Sequence, residues 1–297
     1  MIVRRAGVAF APVAFVLLWS TGFVGAKYGL PYADPFTFLA VRLAIASALL
    51  IALVALTRSA WPTSGSHVRH AAVVGLLLHA GYLGGVFYAI SQGFPSGVAA
   101  VVVSLQPVLT AALATRVLGE SLVGLQWLGL ALGVGGVVLV VAPGLASDAG
   151  SLPAVGVLGC LVALATGTAG TLYQKRHGDR IPLLAGTAVQ YAAAALALLV
   201  LAAATEDMTI RWTGEFVAAL AWLVLALSLG AILLLLLMLR RGSAASVSSL
   251  FYLVPPATAL EAYLLFGERL PPVSLAGVVL AAAGVALVLR PRARRAP

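Results

Sequence analysis

Three ionisable side chains fall inside long apolar stretches of this chain: Glu261, His79 and Arg42. Placing a charged group at the centre of a membrane-length segment costs roughly 2.5–3.5 kcal/mol, so each asks for a reason. A carboxyl withdrawn from water can hold a proton near neutral pH and release it when its surroundings change. That chemistry makes Glu261 the first candidate for proton coupling, with His79 beside it as a second. His79 needs only hydrogen-bond partners while neutral, so a satisfied core histidine is an equal reading. For Arg42 the favoured expectation is structural, either reaching the outer headgroups or pairing with Asp34. No HExxH motif occurs, the four histidines are scattered, and a single cysteine, Cys160, cannot build a thiolate metal site. The chain therefore calls for no catalytic residue, no metal and no cofactor.

A second set of residues could shape a cavity. Pro107 and Pro255 fall near the middle of apolar stretches. A mid-helix proline removes one hydrogen bond and pushes against the carbonyl four residues earlier. Those carbonyls belong to Val103 and Phe251, and Pro256 does the same to Tyr252. Freed carbonyls survive at membrane depth only against protein or a wet cavity. Ser104 and Thr110 lie close to the Pro107 face, with Gln106 a quarter turn away and turned toward a neighbouring helix. Ser248 and Tyr252 lie close to the Pro255 face, and Tyr82 shares a face with His79. Trp19 completes the set. The expected cavity lining is thus Trp19, His79, Tyr82, Ser104, Gln106, Pro107, Thr110, Ser248, Tyr252 and Pro255.

These residues recur at a fixed interval. Shifted by 148, Pro107 falls on Pro255, Thr110 on Thr258 and Gly119-Glu120 on Gly267-Glu268. Residues 105–140 share 14 identities in 36 with 253–288, without a gap. Matched alanines and leucines are cheap in an apolar chain; a matched Pro, Thr and Gly-Glu pair is not. The expected organisation is two repeats, 1–145 and 146–297.

The elements that position them are membrane helices. Hydrophobic residues make up 62% of the 297 and charged residues 9%, with mean hydropathy +1.08, against about 25% charged in a soluble domain. Ten stretches approach the length of about 20 apolar residues needed to cross a bilayer: 9–27, 36–56, 70–90, 95–117, 124–142, 153–173, 183–204, 215–239, 244–266 and 272–289. Arg4-Arg5 ahead of the first run superficially resembles a leader, but that run is long and has a counterpart in the second half, so it reads as a retained span. With the N-terminus inside, 14 Lys or Arg fall in inside regions and 3 (Lys27, Arg211 and Arg269) outside, which places both termini in the cytoplasm. The net charge of +9 then follows from topology and not from nucleic-acid binding. The expected fold is an all-α integral membrane protein, ten transmembrane helices arranged as two inverted five-helix repeats. Five spans per copy turn the second copy over, and inverted repeats with broken helices point to carriers that bind cargo near the midplane. Glu120 and Glu268, at span ends, are expected to be structural, anchoring at the interface or pairing with nearby backbone or Arg. Gly81-x3-Gly85, Gly129-x3-Gly133 and Gly277-x3-Ala281 are expected to allow close helix contact.

The stretches HAGYLGGVFYAISQGFPSGVAAVVVSLQPVLTAALATRVLGE and SVSSLFYLVPPATALEAYLLFGERL, with the tails GLALGVGGVVLVV and GVVLAAAGVALVL, resemble the EamA-type proteins of the drug/metabolite transporter superfamily. The resemblance runs from about Phe10 to Leu289. It implies secondary transport of a small organic metabolite, often export of an amino acid or drug-like compound, from a bacterial inner membrane. The alternative class is a membrane-embedded enzyme acting on a lipid substrate. The expected partners are a small-molecule substrate and the lipid bilayer, without nucleic acid, the chain standing as a monomer or weak homodimer.

Overall fold

The computed structural model describes residues 2–117, 119, 122–146, 152–179, 181–231, 234 and 253–288. Among these there is no strand, only an isolated antiparallel bridge between Ala33 and Ile210. The helices are α1 (Ile2–Gly29), α2 (Pro35–Thr57), α3 (Gly65–Gly75), α4 (Tyr82–Ser91), α5 (Ser96–Val103), α6 (Gln106–Val117), α7 (Gly124–Ala146), α8 (Ala154–His177), α9 (Leu183–Thr205), α10 (Gly214–Trp222), α11 (Val254–Phe266) and α12 (Pro272–Val288). A π-helical segment, Leu76–Gly81, joins α3 to α4 without a break, and another, Leu223–Ala231, continues α10. Among the described residues seven runs are long and apolar enough to cross a membrane: Pro35–Thr57, Gly65–Ser91, Ser96–Val117, Gly124–Pro143, Ala154–His177, Leu183–Thr205 and Gly214–Ala231. α12 is apolar and shorter.

The 148-residue interval governs the structure as it governs the sequence. Shifted by 148, Pro35–Thr57 lands on Leu183–Thr205, and the first π-helical segment lands within the second. The packing follows the same exchange. α2 lies along its mate α9, and α7 along its mate α12. α1 packs on α11 as α8 packs on α6, and α1 meets α10 as α8 meets α3. Contacts between the halves hold the molecule together, as an approximate twofold exchange requires.

Helix ends are finished by groups from across this interface. A helix N-terminus leaves four N–H groups without intrahelical partners. At α2 the carboxylate of Glu206 accepts from Phe36 N at 2.8 Å and from Thr37 N and Thr37 Oγ1 at 2.7 Å. At α5 the carboxylate of Glu268 accepts from Ser96 N at 3.3 Å, Ser96 Oγ at 3.1 Å and Gly97 N at 3.3 Å. Gly267 ends α11 with φ +65°, and its mate Gly119 has φ +68°. These left-handed values suit glycine and explain the paired Gly-Glu: the glycine turns the chain so that the glutamate leaves the helix axis.

Water cannot drive helix association within lipid, so close packing must do it. Small residues let α7 and α12 touch backbone to backbone: a Cβ added at Gly284 would sit 2.3 Å from Gly133 N, and one at Gly277 would sit 2.6 Å from Gly136 O. Gly85 meets Gly159 O in the same way, at 2.4 Å. Elsewhere aromatic rings fill the interior, with Phe38 packed against Phe87 and Phe216 at ring separations of 5.6 and 5.1 Å.

Candidate functional site

A cavity of about 880 Å³ lies between the halves, within the range of small-molecule sites. Its wall takes Trp19 from α1, Arg42 from α2, His79 from the first π-helical segment, Tyr82 from α4, and Gln106, Pro107 and Thr110 from α6. Ser104 lies in the turn before α6, and Pro255 in α11. Eight of the ten expected lining residues therefore meet at one site. The other two, Ser248 and Tyr252, lie outside the described residues.

Pro107 stands at a break between two helices and not within a kinked one, and Pro255 stands at the start of α11. α5 ends at Val103, the chain turns through Ser104 and Leu105, and a new helix begins at Gln106. Pro107 is then the second residue of α6, and Pro255 the second of α11. Early in a helix the missing N–H would have had no partner anyway, so the proline is tolerated. Two helix starts thus face one cavity at mate positions.

The hydroxyls divide. Ser104 Oγ donates to Val101 O at 2.6 Å, so its proton is used by its own helix. Thr110 Oγ1 is buried with no hydrogen-bond partner among the described residues. Gln106 does turn to a neighbouring helix, donating to Gly167 O at 3.1 Å and Thr171 Oγ1 at 2.8 Å of α8.

The expectation for Arg42 is overturned. Arg42 neither reaches the surface nor pairs with Asp34. It is 5% exposed, lines the cavity, and donates from Nε to Ser228 Oγ at 3.3 Å. Its Cζ lies 5.9 Å from the centre of the Phe87 ring. Asp34 sits two helical turns away at the α2 N-terminus, so α2's rotation, which turns residue 42 inward, decides the outcome.

Arg42 and Gln190 are mates at the 148-residue interval, and each reaches into a π-helical segment. Arg42 meets Ser228 of the second segment; Gln190 Oε1 accepts from His79 Nε2 of the first at 3.2 Å. Ser228 in turn donates to Leu223 O at 3.0 Å, five residues back, which leaves its oxygen to accept from Arg42. Tyr191 joins the two arrangements: its ring lies edge-on to His79 at 4.7 Å and its hydroxyl donates to Ser228 O at 3.4 Å. π-helical turns concentrate at functional sites, and here both border the cavity. Sequence reasoning missed Arg42, Tyr191, Gln190 and Ser228. The interval that pairs Arg42 with Gln190 was the trace that could have found them.

Glu261 is half-buried beside the cavity and not part of its wall. Its Oε1 lies 2.6 Å from Ser20 Oγ, while Oε2 is buried with no partner among the described residues. At one end of the molecule Lys27 Nζ meets Glu268 Oε1 at 2.5 Å. The glutamate is structural as expected, though its cation is a lysine and not an arginine. Glu120 lies outside the described residues. The cavity wall continues toward the opposite helix ends, to Gln126, Lys175 and Val288. Among the described residues no cluster of three or more His, Cys, Asp or Glu could hold a metal ion.

Comparison with known proteins agrees with this geometry. The chain is 28% identical over 282 residues to the "Uncharacterized transporter YvbV" of Bacillus subtilis, covering 92% of this chain and 88% of the relative. It is 27% identical over 259 residues to the "Uncharacterized inner membrane transporter YedA" of Escherichia coli K12, covering 86% and 82%. It is also 27% identical over 291 residues to the "Probable amino-acid metabolite efflux pump" of Salmonella typhimurium, covering 93% and 92%. One solved crystal structure matches with a TM-score of 0.67 at 20% identity, over 94% of this chain and 96% of that one, a likeness of fold. Residues 5–142 and 154–290 each match the EamA-like transporter family, the two matches falling on the two exchange-related halves, and the chain belongs to that family: it is a multi-pass membrane transporter.

Proposed function

We propose that this transporter is a secondary active carrier that exports a small organic metabolite, such as an amino acid or a drug-like compound, with a proton as the coupling ion. In this reading the chain crosses a bacterial inner membrane ten times with both termini in the cytoplasm, and the repeats 1–145 and 146–297 lie in opposite orientations. The observation that carries it is the cavity itself. It lies between halves that pack by approximate exchange, with Lys27–Glu268 and the Ala33–Ile210 bridge drawing the helices together at one end and its wall running on to Lys175 at the other. Rocking the halves about their shared contacts would close the second end and part the first, which is alternating access.

The proton reading rests on Glu261. Ser20 Oγ has two acceptors in reach, Leu17 O at 3.0 Å and Glu261 Oε1 at 2.6 Å, but only one proton. Both contacts are full, unshared hydrogen bonds only when Glu261 is protonated and donates to Ser20. Ionisation leaves them competing for one proton, and Ser20 belongs to α1, next to Trp19 on the cavity wall. Proton loss at Glu261 is thereby tied to a cavity-lining helix.

The test is transport by the purified full chain in liposomes, against a panel of labelled small metabolites with an imposed pH gradient. Saturable, gradient-driven movement of at least one solute is expected. Correctly inserted protein that moves none of them would overturn the carrier reading.

A further inference from the structure

The cavity has a cation built into its wall and, among the described residues that line it, no anion. Arg42 is 5% exposed, and its one hydrogen-bond partner among the described residues is Ser228 Oγ, taken by Nε. That leaves the forked nitrogens without an acceptor on the described protein. A guanidinium stays protonated at any physiological pH, and a buried charge without a compensating partner is strongly destabilising. Much of the rest of the wall is aromatic: Trp19, Phe23, Tyr82, Phe87 and Tyr191 surround the same space.

We propose that Arg42 is a substrate-binding residue that grips a single carboxylate, and that the cargo is a monoanion with an aromatic or apolar body and no ammonium group. This rests on the carrier reading above and narrows its substrate class to acids without an amine, amino acids excluded. A carboxylate matches the planar fork of arginine with two parallel hydrogen bonds. The Phe87 ring holds one face of the guanidinium and Ser228 fixes Nε, so the fork is oriented before the ligand arrives. The mate position carries the neutral Gln190, already bonded to His79. Gln190 is not part of the wall, so one half provides a charged anchor that the other lacks, which suits a ligand charged at one end only. An ammonium group would face the Arg42 guanidinium and, among the described residues of the wall, no acid.

Four probes with one arylalkyl body separate the charge types: phenylpropionate, phenylpropionamide, phenylalanine and phenylpropylamine. Binding to the purified full-length protein is measured directly by calorimetry, and transport in liposomes separately. Phenylpropionate is expected to bind at least about tenfold more tightly than the amide and the zwitterion, the scale of a lost charge-assisted pair. The amine is expected not to bind. Arg42→Gln should abolish the preference for carboxylate over amide. Arg42→Lys, which keeps the charge without the fork, should retain a reduced preference and serves if the glutamine variant does not fold. A parent protein that binds the amide, the zwitterion or the amine as well as the acid overturns the proposal, as does failure to bind any of the four, or a full carboxylate preference in the folded Arg42→Gln or Arg42→Lys variant. Transport of unrelated solutes would then leave the carrier reading standing. Carboxylate binding without any transport would do the reverse.

Discussion

Lys27 and Glu268, one from each half of the chain, form an ion pair at 2.5 Å, and the same carboxylate accepts from the first amides of α5. A single side chain thus ties α1, α5 and the end of α11 together. Truncating one partner of a hydrogen-bonded charge network leaves the others unpaired. Glu268→Ala should lower stability by about 2 kcal/mol, on the scale of hydrogen bonds to charged groups. Lys27→Ala should cost less, because its side chain is 35% exposed and water replaces part of the interaction. Thermal unfolding of the two single variants and the double variant in detergent measures the coupling.

Backbone contact between α7 and α12 predicts a sharp contrast among glycines. Gly136→Ala should destabilise by roughly 1–3 kcal/mol, the usual range for overpacking, because its new Cβ would lie 2.4 Å from Ala281 N. Gly124→Ala, with nothing within 4 Å of the added atom, should be neutral or slightly stabilising. Unfolding midpoints of the two variants check the contrast.

The helix restarts predict a separation of stability from transport. Pro107→Ala allows the chain to run on as continuous helix across the turn at residues 104–105, and Pro255→Ala removes the same constraint at the start of α11. Each variant should keep its unfolding temperature within a few degrees while losing most transport, since the paired helix starts border the cavity. Retained transport in both would show that the breaks only shape packing.

Proton coupling predicts that Glu261→Gln exports no faster with an imposed pH gradient than without one. A variant that responds as steeply as the parent removes Glu261 from the coupling role. Ser20→Ala should weaken the response without abolishing it, because the carboxyl remains.

The end of the molecule near α2 predicts a pH effect on stability. Partial burial, then the charges of Glu206 and Asp207, hold the Asp34 carboxyl above its ordinary value. A raised value in the folded state favours the protonated form there. The associated stability is present below the unfolded value of 3.8 and is lost as pH rises through the folded one. Asp34→Asn should flatten that part of the stability profile and raise the unfolding temperature slightly at neutral pH. The effect is small because the group is largely solvated. Glu206→Gln should destabilise instead, since it weakens the cap on Phe36 and Thr37.

The repeat, the helical class and most of the cavity wall were legible in the residues, because identical Pro, Thr and Gly-Glu spacings survive in both halves. Pro107 and Thr110 could be placed at a cavity from sequence since their depth is counted along one helix. Arg42 could not, because its fate depends on how α2 rotates against α10 and its π-helical extension, a matter of packing between halves. The π-helical segments themselves leave no trace in apolar periodicity; Leu76–Gly81 reads as any other apolar run. Ser104 borders the cavity, yet its hydroxyl proton is spent on its own backbone, which residue type alone does not reveal.

Two halves that share a shape but differ in charge have an energetic consequence. A perfectly duplicated chain would rest with equal ease in either of its two tilted arrangements. Arginine in one copy and glutamine in the other remove that equality. In the alternating-access reading proposed above, an empty molecule therefore has a preferred parking position, and the difference between residues 42 and 190 is one of those that set it.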